Sequence, residues 1–515
     1  MSAMTIHGER RTIEMRLSRA RAWRWQFDLA DRLAADPAVD LTIRFTDGPP
    51  LPAAFDMLRM LENCVFRLHG EHVCDRLDEA AFSRWTRTDP AQADLVRADL
   101  VLDFAPRASA GPGASRHIRV LYDNAPDEDV LLTSVLAHHA PALSVVDQAG
   151  HVLASARPAI ENPLAMTSAL DAVWSALLRL VLKVARRTDP RGEPIAPRQA
   201  ATRPLTSPAL ASFGARTLAR KLGNRLTRLS RTAQDWFVAW RRIDDTVRLA
   251  RPAPGTRPED YIRMACDAHR YYADPFLFEA GGAMHLFVEE FPFATGKGLI
   301  SVATFTEGGL SPARPVLETD THLSYPHVFA GDGEIWMIPE TLQARTVELY
   351  RAERFPDRWT HETTLLADIE ASDATVCRHG GLWWMFAATR EWQGSNWDSL
   401  GVFFAERLKG PWHPHPDNPV LIDSHGARPA GQFFHHGGAL WRPAQDCSEN
   451  YGTGLSLCRI DRLDTGAVTQ TVEAGVRLRG AGVTRGPHTF NRAGDIEVID
   501  LLGSPDALRA GEPAR

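Results

Sequence analysis

The stretch ADPFLFEAGGAMHLFVEE (Ala273–Glu290) is an apolar run, a glycine pair and a second apolar run, with Asp274 at its entrance. The pattern returns as SYPHVFAGDGEIWMIPET (Ser324–Thr341) and SDATVCRHGGLWWMFAAT (Ser372–Thr389). Looser copies are PAGQFFHHGGALWRPAQD (Pro429–Asp446) and RGPHTFNRAGDIEVIDLL (Arg485–Leu502). Asp274 to His285, Tyr325 to Trp336, Asp373 to Trp384 and Ala430 to Trp441 are each a step of 11. Copies beginning at 274, 325, 373, 430 and 486 are 51, 48, 57 and 56 residues apart. Repeats of roughly 40–50 residues built only of short strands and turns predict a propeller, here with five blades. Paired glycines suit the positive φ of a tight hairpin turn. The aromatic, β-prone runs after them suit strands buried on both faces. No hairpin of this kind buries its surface alone, whereas five around an axis do.

Composition narrows the function. Lysine plus arginine is 58 and aspartate plus glutamate 64, so the net charge is 58 − 64 = −6. That balance argues against a dedicated nucleic-acid binder. Six scattered cysteines show no metal-ligand spacing and read as reduced thiols in a cytoplasmic protein. The first residues lack the apolar core of a signal peptide. The most apolar helix candidate, 169–185, carries Arg179 and Lys183 and is too short to span a bilayer.

Outside the repeats, residues 12–187 read as an α/β domain with a mostly parallel, Rossmann-like sheet. Strands are expected at 12–15, 39–45, 98–104, 117–121 and 142–146, with helices at 23–35, 53–67 and 165–187. No G-x-G-x-x-G or P-loop follows any of these strands, so no nucleotide cofactor is expected. Residues 188–208 are a linker rich in proline and arginine. A basic amphipathic helix follows at 209–233, with two readings: peripheral contact with an anionic inner-membrane surface, or packing between domains with its charges in water. The propeller is expected over 234–503, with WFVAWR (Trp236–Arg241) as an outer strand and a frayed tail at 504–515.

In a propeller the starts of the innermost strands converge on one channel mouth. Here they bring Asp274, Tyr325, Asp373, Arg428, Gln432 and His488. Carboxylates among aromatic rings compose a sugar site: rings stack on C–H faces, and carboxylates bind hydroxyls or move protons. His322 beside the channel entrance, and Trp392 and Trp397 in the loop REWQGSNWDS, are further substrate-binding candidates. Glu340, after Pro339 in WMIPE, is placed to bend toward the channel. The histidines form no zinc motif, so no metal is expected.

Two families resemble this chain. DPFLFE, LFVEE, GKG (296–298), HLSYPHVF, WMIPE, ELYRA (348–352) and FPDRW (355–359) resemble the N-terminal propeller of plant glucosamine inositolphosphorylceramide transferases and its bacterial relatives. That group lies within the five-bladed arabinanase and invertase-like clan, and the resemblance spans about 236–502. The clan pattern implies a base Asp in the first blade, met by Asp274, and a second Asp in the third, met by Asp373. It also implies an acid Glu at the start of the fourth, where GARPAGQFF offers Arg428 and Gln432 instead. Neither protonates a leaving group at neutral pH, so either Glu340 supplies the acid or hydrolysis is lost. The N-terminal half resembles a formyltransferase-like Rossmann domain through its strand order and ADLVLDF (98–104), without that family's short histidine motif. The resulting expectation is a carbohydrate-active protein, a glycosyltransferase or glycoside hydrolase. Its ligand would be a carbohydrate or nucleotide sugar on a bacterial surface glycan or glycolipid precursor. The alternative is a non-catalytic glycan-binding or scaffold protein with a decayed propeller.

Overall fold

The computed structural model describes residues 10–86, 98–105, 116–186, 204–227, 234–243, 256–504 and 506–508. The chain divides into two compact units, one of 1–229 with Glu391–Ser395, the other of the remaining residues from Ser230 onward. Most of the expected linker (188–203) and tail, and Arg228 and Arg231 of the basic helix, lie outside the described residues.

In the first unit a six-stranded sheet has the order β2-β1-β3-β4-β5-β6. The strands are β1 (Arg11–Ser18), β2 (Val39–Thr46), β3 (Leu100–Asp103), β4 (Arg116–Tyr122), β5 (Leu143–Asp147) and β6 (Val152–Ala156). The first four run parallel, while β5 and β6 are antiparallel, so the sheet is mixed. The short connection between β5 and β6 explains the reversal there, because only a hairpin fits it. Helices α1 (Arg24–Ala34), α2 (Ala54–Phe66), α3 (Glu128–Leu136), α4 (Met166–Arg186) and α5 (Ser207–Thr227) accompany the sheet. Buried nearly all round, α4 has its first N–H groups satisfied by the Glu62 carboxylate, 2.6 Å from Met166 N and 2.8 Å from Thr167 N. The basic helix α5 buries Leu210 and Phe213, sets Gly214 against Leu58 of α2, and bonds Thr217 Oγ1 to Leu164 O at 2.9 Å. No helix among the described residues is long and apolar enough to cross a membrane.

The second unit is a closed five-bladed β-propeller. Its innermost strands are Arg270–Ala280, Ser324–Gly331, Glu370–His379, Phe434–His436 and Phe490–Ala493 in blades I to V. In blades II and IV three further antiparallel strands follow outward in chain order, and in blades I and III the third strand carries two short strands on its outer side. Blade V is different: its central strand Ile496–Gly503 pairs with β7 (Asp235–Arg242) from the opposite end of the unit. The ring is therefore closed by a strand lent from the chain before blade I. Each interface between neighbouring blades holds its own apolar cluster, such as Phe276, Phe287, Val328 and Met337 between I and II. The hairpin glycines adopt the expected positive φ, for example Gly281 at 61° and Gly282 at 75°.

The step of 11 has a structural cause. The indole Nε1 of Trp336, Trp384 and Trp441 donates to the carbonyl oxygen five residues earlier, Gly331, His379 and His436, at 2.8, 3.1 and 3.0 Å. Each bond ties the second strand of a blade to the end of its first.

Candidate functional site

Near the mouth end of blades I, II and III the inner strand holds a non-glycine residue in the left-handed region: Asp274 (φ 49°), Tyr325 (45°) and Asp373 (57°). Pairing with the next strand slips at each of these points, a bulge that re-aims the side chain. Side-chain carboxylates hold the three bulges in place. Asp274 N donates to Asp500 Oδ2 at 3.0 Å, Tyr325 N to Asp274 Oδ2 at 3.2 Å, and Asp373 N to Glu340 Oε2 at 3.2 Å. Left-handed backbone at three equivalent positions, each secured by an acid, is the kind of conformation that functional sites retain.

Asp274 sits at the centre. Its Oδ1 accepts Thr489 Oγ1 at 2.9 Å and lies 3.1 Å from His488 Nε2. His488 Nδ1 is 2.8 Å from Asp500 Oδ1, off the line of a good hydrogen bond. Burial works against the charge on this imidazole, but Asp500 and Asp274 prevail and its pKa is pushed up to about 10. Burial likewise opposes ionisation of Asp274, yet His488 beside it holds its carboxyl below the usual carboxylate range. The donor atoms of Asp274, His488 and Asp500 lie within 4.8 Å of one another, close enough to hold a metal ion. With its pKa raised, the His488 ring lies between the Asp274 and Asp500 carboxylates as a buried cationic partner to both.

The second carboxylate, Asp373, accepts Arg428 Nε at 2.6 Å and Gln445 Nε2 at 3.2 Å. Burial pushes it well above the ordinary range against the pull of Arg428. Arg428 thus stands at the entry of blade IV, and lies 3.6 Å from Glu340 Oε2 and 5.1 Å from the centre of the Tyr451 ring.

Glu289 occupies the same place in blade I that Glu340 occupies in blade II, because Glu289 pairs with Ala273 and Glu340 with Ser324 in the two hairpins. It is buried, and burial together with the fields of Asp274 and Glu340 raises its pKa well above the ordinary value. His322 Nδ1 accepts the Gly298 N–H at 2.9 Å, so the ring's proton is on Nε2, 3.4 Å from Glu289 Oε1. Burial keeps this imidazole below its ordinary pKa.

Aromatic rings flank the charged floor. On one side Trp236, Tyr451 and Trp397 make a wall against His488, with ring centres 4.0 Å apart for Trp236 and His488 and 5.7 Å for Trp397 and Tyr451. On the other, Tyr271 stacks on Phe291 at 4.9 Å, beside His322.

Several expected contacts lie elsewhere. Tyr325 is wholly buried, and its hydroxyl takes the Gly431 N–H at 2.7 Å and meets Thr375 Oγ1 at 2.9 Å, so it joins blades rather than presenting a face to a ligand. Gln432 spends its amide on the carbonyls of Val328 and Leu277, at 3.0 and 3.4 Å. Trp392 belongs to the first unit, with Arg32 5.4 Å above its ring. Gln445 and Asp500 join the site without being among the residues expected from sequence. Asp500 had a signal, an acid between Ile499 and Leu501 in the apolar run IEVIDLL.

Fold and site together define a five-bladed propeller with a mouth that is acidic, aromatic and cross-braced by ion pairs. Residues 261–502 match the family described as Glucosamine inositolphosphorylceramide transferase 1, N-terminal. The chain is 35% identical over 231 residues to glucosamine inositolphosphorylceramide transferase 1 of Oryza sativa subsp. japonica, covering 44% of this chain and 29% of that one. With the Arabidopsis thaliana protein of the same name it shares 34% over 198 residues, 38% and 26% of the two chains. The matched region is thus less than a third of the length of these relatives. Among solved structures, a family 117 glycoside hydrolase of Zobellia galactanivorans is similar with a TM-score of 0.33 and 15% identity, covering 52% of this chain and 91% of that one. The formyltransferase-like assignment of the N-terminal half finds no support in these comparisons.

Proposed function

We propose that the propeller mouth binds a sugar and transfers or hydrolyses a glycosyl group, with Asp274 as the ionised carboxylate and Glu289 as the proton donor. The observation that carries this reading is the opposed tuning of these two acids: His488 holds Asp274 low, while burial and neighbouring carboxylates hold Glu289 high. Two titratable groups whose surroundings push them apart are the signature of an acid–base division of labour. Glu340, expected from sequence as the donor, accepts the Asp373 N–H at 3.2 Å and lies 3.6 Å from Arg428, so its oxygens are engaged by the neighbouring blades. Its role here is to hold Asp373 and Arg428. The aromatic walls supply stacking faces for sugar rings. The names of the similar plant proteins point to a glycolipid headgroup as substrate class, and a surface glycan or its glycolipid precursor is the ligand we assign.

The test is a panel of nucleotide sugars with glycolipid acceptors, alongside aryl glycosides, assayed for transfer and hydrolysis. Glu289→Gln should lower turnover on the order of 10²–10⁴-fold with little change in binding, as loss of a general acid does. A second reading, a binding module without turnover, is favoured by Arg428 standing where the clan's acid is expected. Under it, no member of the panel is turned over, and Glu289→Gln changes only affinity.

A further inference from the structure

The first unit carries a cleft of its own at the carboxyl ends of its parallel strands. Ser18 ends β1, Asp103 ends β3 and Tyr122 ends β4, and Arg21, Trp25, Gln26, Phe104 and Glu128 are among the other residues that line it. From β1 the sheet extends to β2 on one side and to β3 on the other. Ligand crevices of open α/β sheets fall at such a seam, outside the carboxyl ends of the strands.

Two donors in this cleft have no acceptor. Ser18 Oγ is buried at 2% exposure and Trp25 Nε1 at 0%, and neither makes a hydrogen bond. Buried polar atoms are rarely left so, because an unpaired group keeps its full desolvation penalty. The cation beside them is already neutralised: Arg21 Nη1 is 2.7 Å from Asp129 Oδ1 and 3.5 Å from Glu128 Oε1. An anionic ligand therefore finds no net positive charge. Glu128 accepts Trp23 Nε1 at 3.0 Å, and burial, opposed by Arg21, pushes its pKa up to about 7. Near neutrality it is available both as donor and as acceptor, like the Ser18 hydroxyl. Groups that both give and take a hydrogen bond match ligand hydroxyls, which do the same. The Trp25 and Phe104 rings, edge to face at 5.0 Å, provide an apolar wall. The enclosed space of about 30 Å³ holds roughly two waters, so only one end of a ligand enters.

We propose that this cleft binds the hydroxyl-bearing end of a small uncharged polyol, with Ser18 Oγ and Trp25 Nε1 donating to its oxygens. The site is separate from the propeller mouth and does not depend on the reading of that mouth.

The experiment uses the full chain with ¹⁵N-labelled tryptophan, the Trp25 indole signal being assigned with Trp25→Phe. Glycerol, glucose and sodium phosphate are titrated in turn. Glycerol or glucose should shift the Trp25 signal saturably, and phosphate should not. Ser18→Ala, which removes only an unpaired hydroxyl and so preserves the fold, should weaken polyol binding roughly 3- to 10-fold, the worth of one hydrogen bond. Asp274→Asn should leave it unchanged, which separates this site from the mouth. The proposal is overturned if neither polyol gives a saturable shift, if phosphate does, or if Ser18→Ala binds as the parent.

Discussion

Glu289 and Asp274 are both acids at the mouth of blade I, yet their surroundings drive them in opposite directions. Asp274 was legible from its place before a repeated strand. The tuning of Glu289 was not, because burial and the charges on other blades belong to the closed ring rather than to any one stretch of chain. The same limit explains Tyr325 and Gln432, expected to face a ligand, whose functional groups are consumed by neighbouring blades. Asp274→Asn should abolish turnover while preserving the fold, since the swap is nearly isosteric; activity retained at the parent level would move the site elsewhere. The His488 row makes a stability prediction. An unfolded histidine titrates near 6.5, whereas folded His488 titrates at about 10. The folded state therefore binds more protons between those values, and stability falls as pH rises through the window. Its contribution is complete below about pH 6.5 and gone above about pH 10, with a slope of up to about 1.4 kcal/mol per pH unit. Denaturant unfolding at several pH values checks this: the slope should be present in the parent and reduced in His488→Gln. Equal slopes would mean that His488 is neutral in the folded protein.

At the scale of single elements, the repeated step of 11 was visible because one physical device recurs. An indole reaches back to a hairpin carbonyl, and a glycine turn fixes how far apart the two partners are. The blades with weaker sequence signals are those with short inner strands, Phe434–His436 and Phe490–Ala493. Strand direction in the first unit was less legible. An apolar run such as LSVVD reads alike in parallel and antiparallel pairings, and β6 (VLASA) is too short and mixed to declare itself. The indole device is open to test. Trp384→Phe removes the bond to His379 O and part of a fully buried ring, and should cost roughly 1–3 kcal/mol. Trp441→Phe, at a partly exposed position with an equivalent bond, should cost less. Equal losses in chemical denaturation would show that burial does not set the difference.

Over the whole second unit, one strand decides whether five sheets make a ring. β7 alternates its side chains between two interfaces. Phe237 and Ala239 pack in the cluster between blades IV and V, while Val238 and Trp240 pack in the cluster between V and I. Its backbone meanwhile completes the blade V sheet along Ile496–Gly503. The sequence showed WFVAWR as a strand, but its partner lies more than 250 residues away, a distance that no local pattern encodes. Long-range pairing of this kind makes the ring cooperative, because opening blade V exposes apolar surface on both of its neighbours. Phe237→Ala should therefore cost about 3–5 kcal/mol, the usual range for a large buried ring. Its effect should extend beyond blade V: amide protons of Val376 and Met385 in blade III should lose hydrogen-exchange protection by a similar free energy. If only blades IV and V become less protected, the blades are independent units stacked side by side, and the mouth they share is held by its ion pairs rather than by closure of the ring.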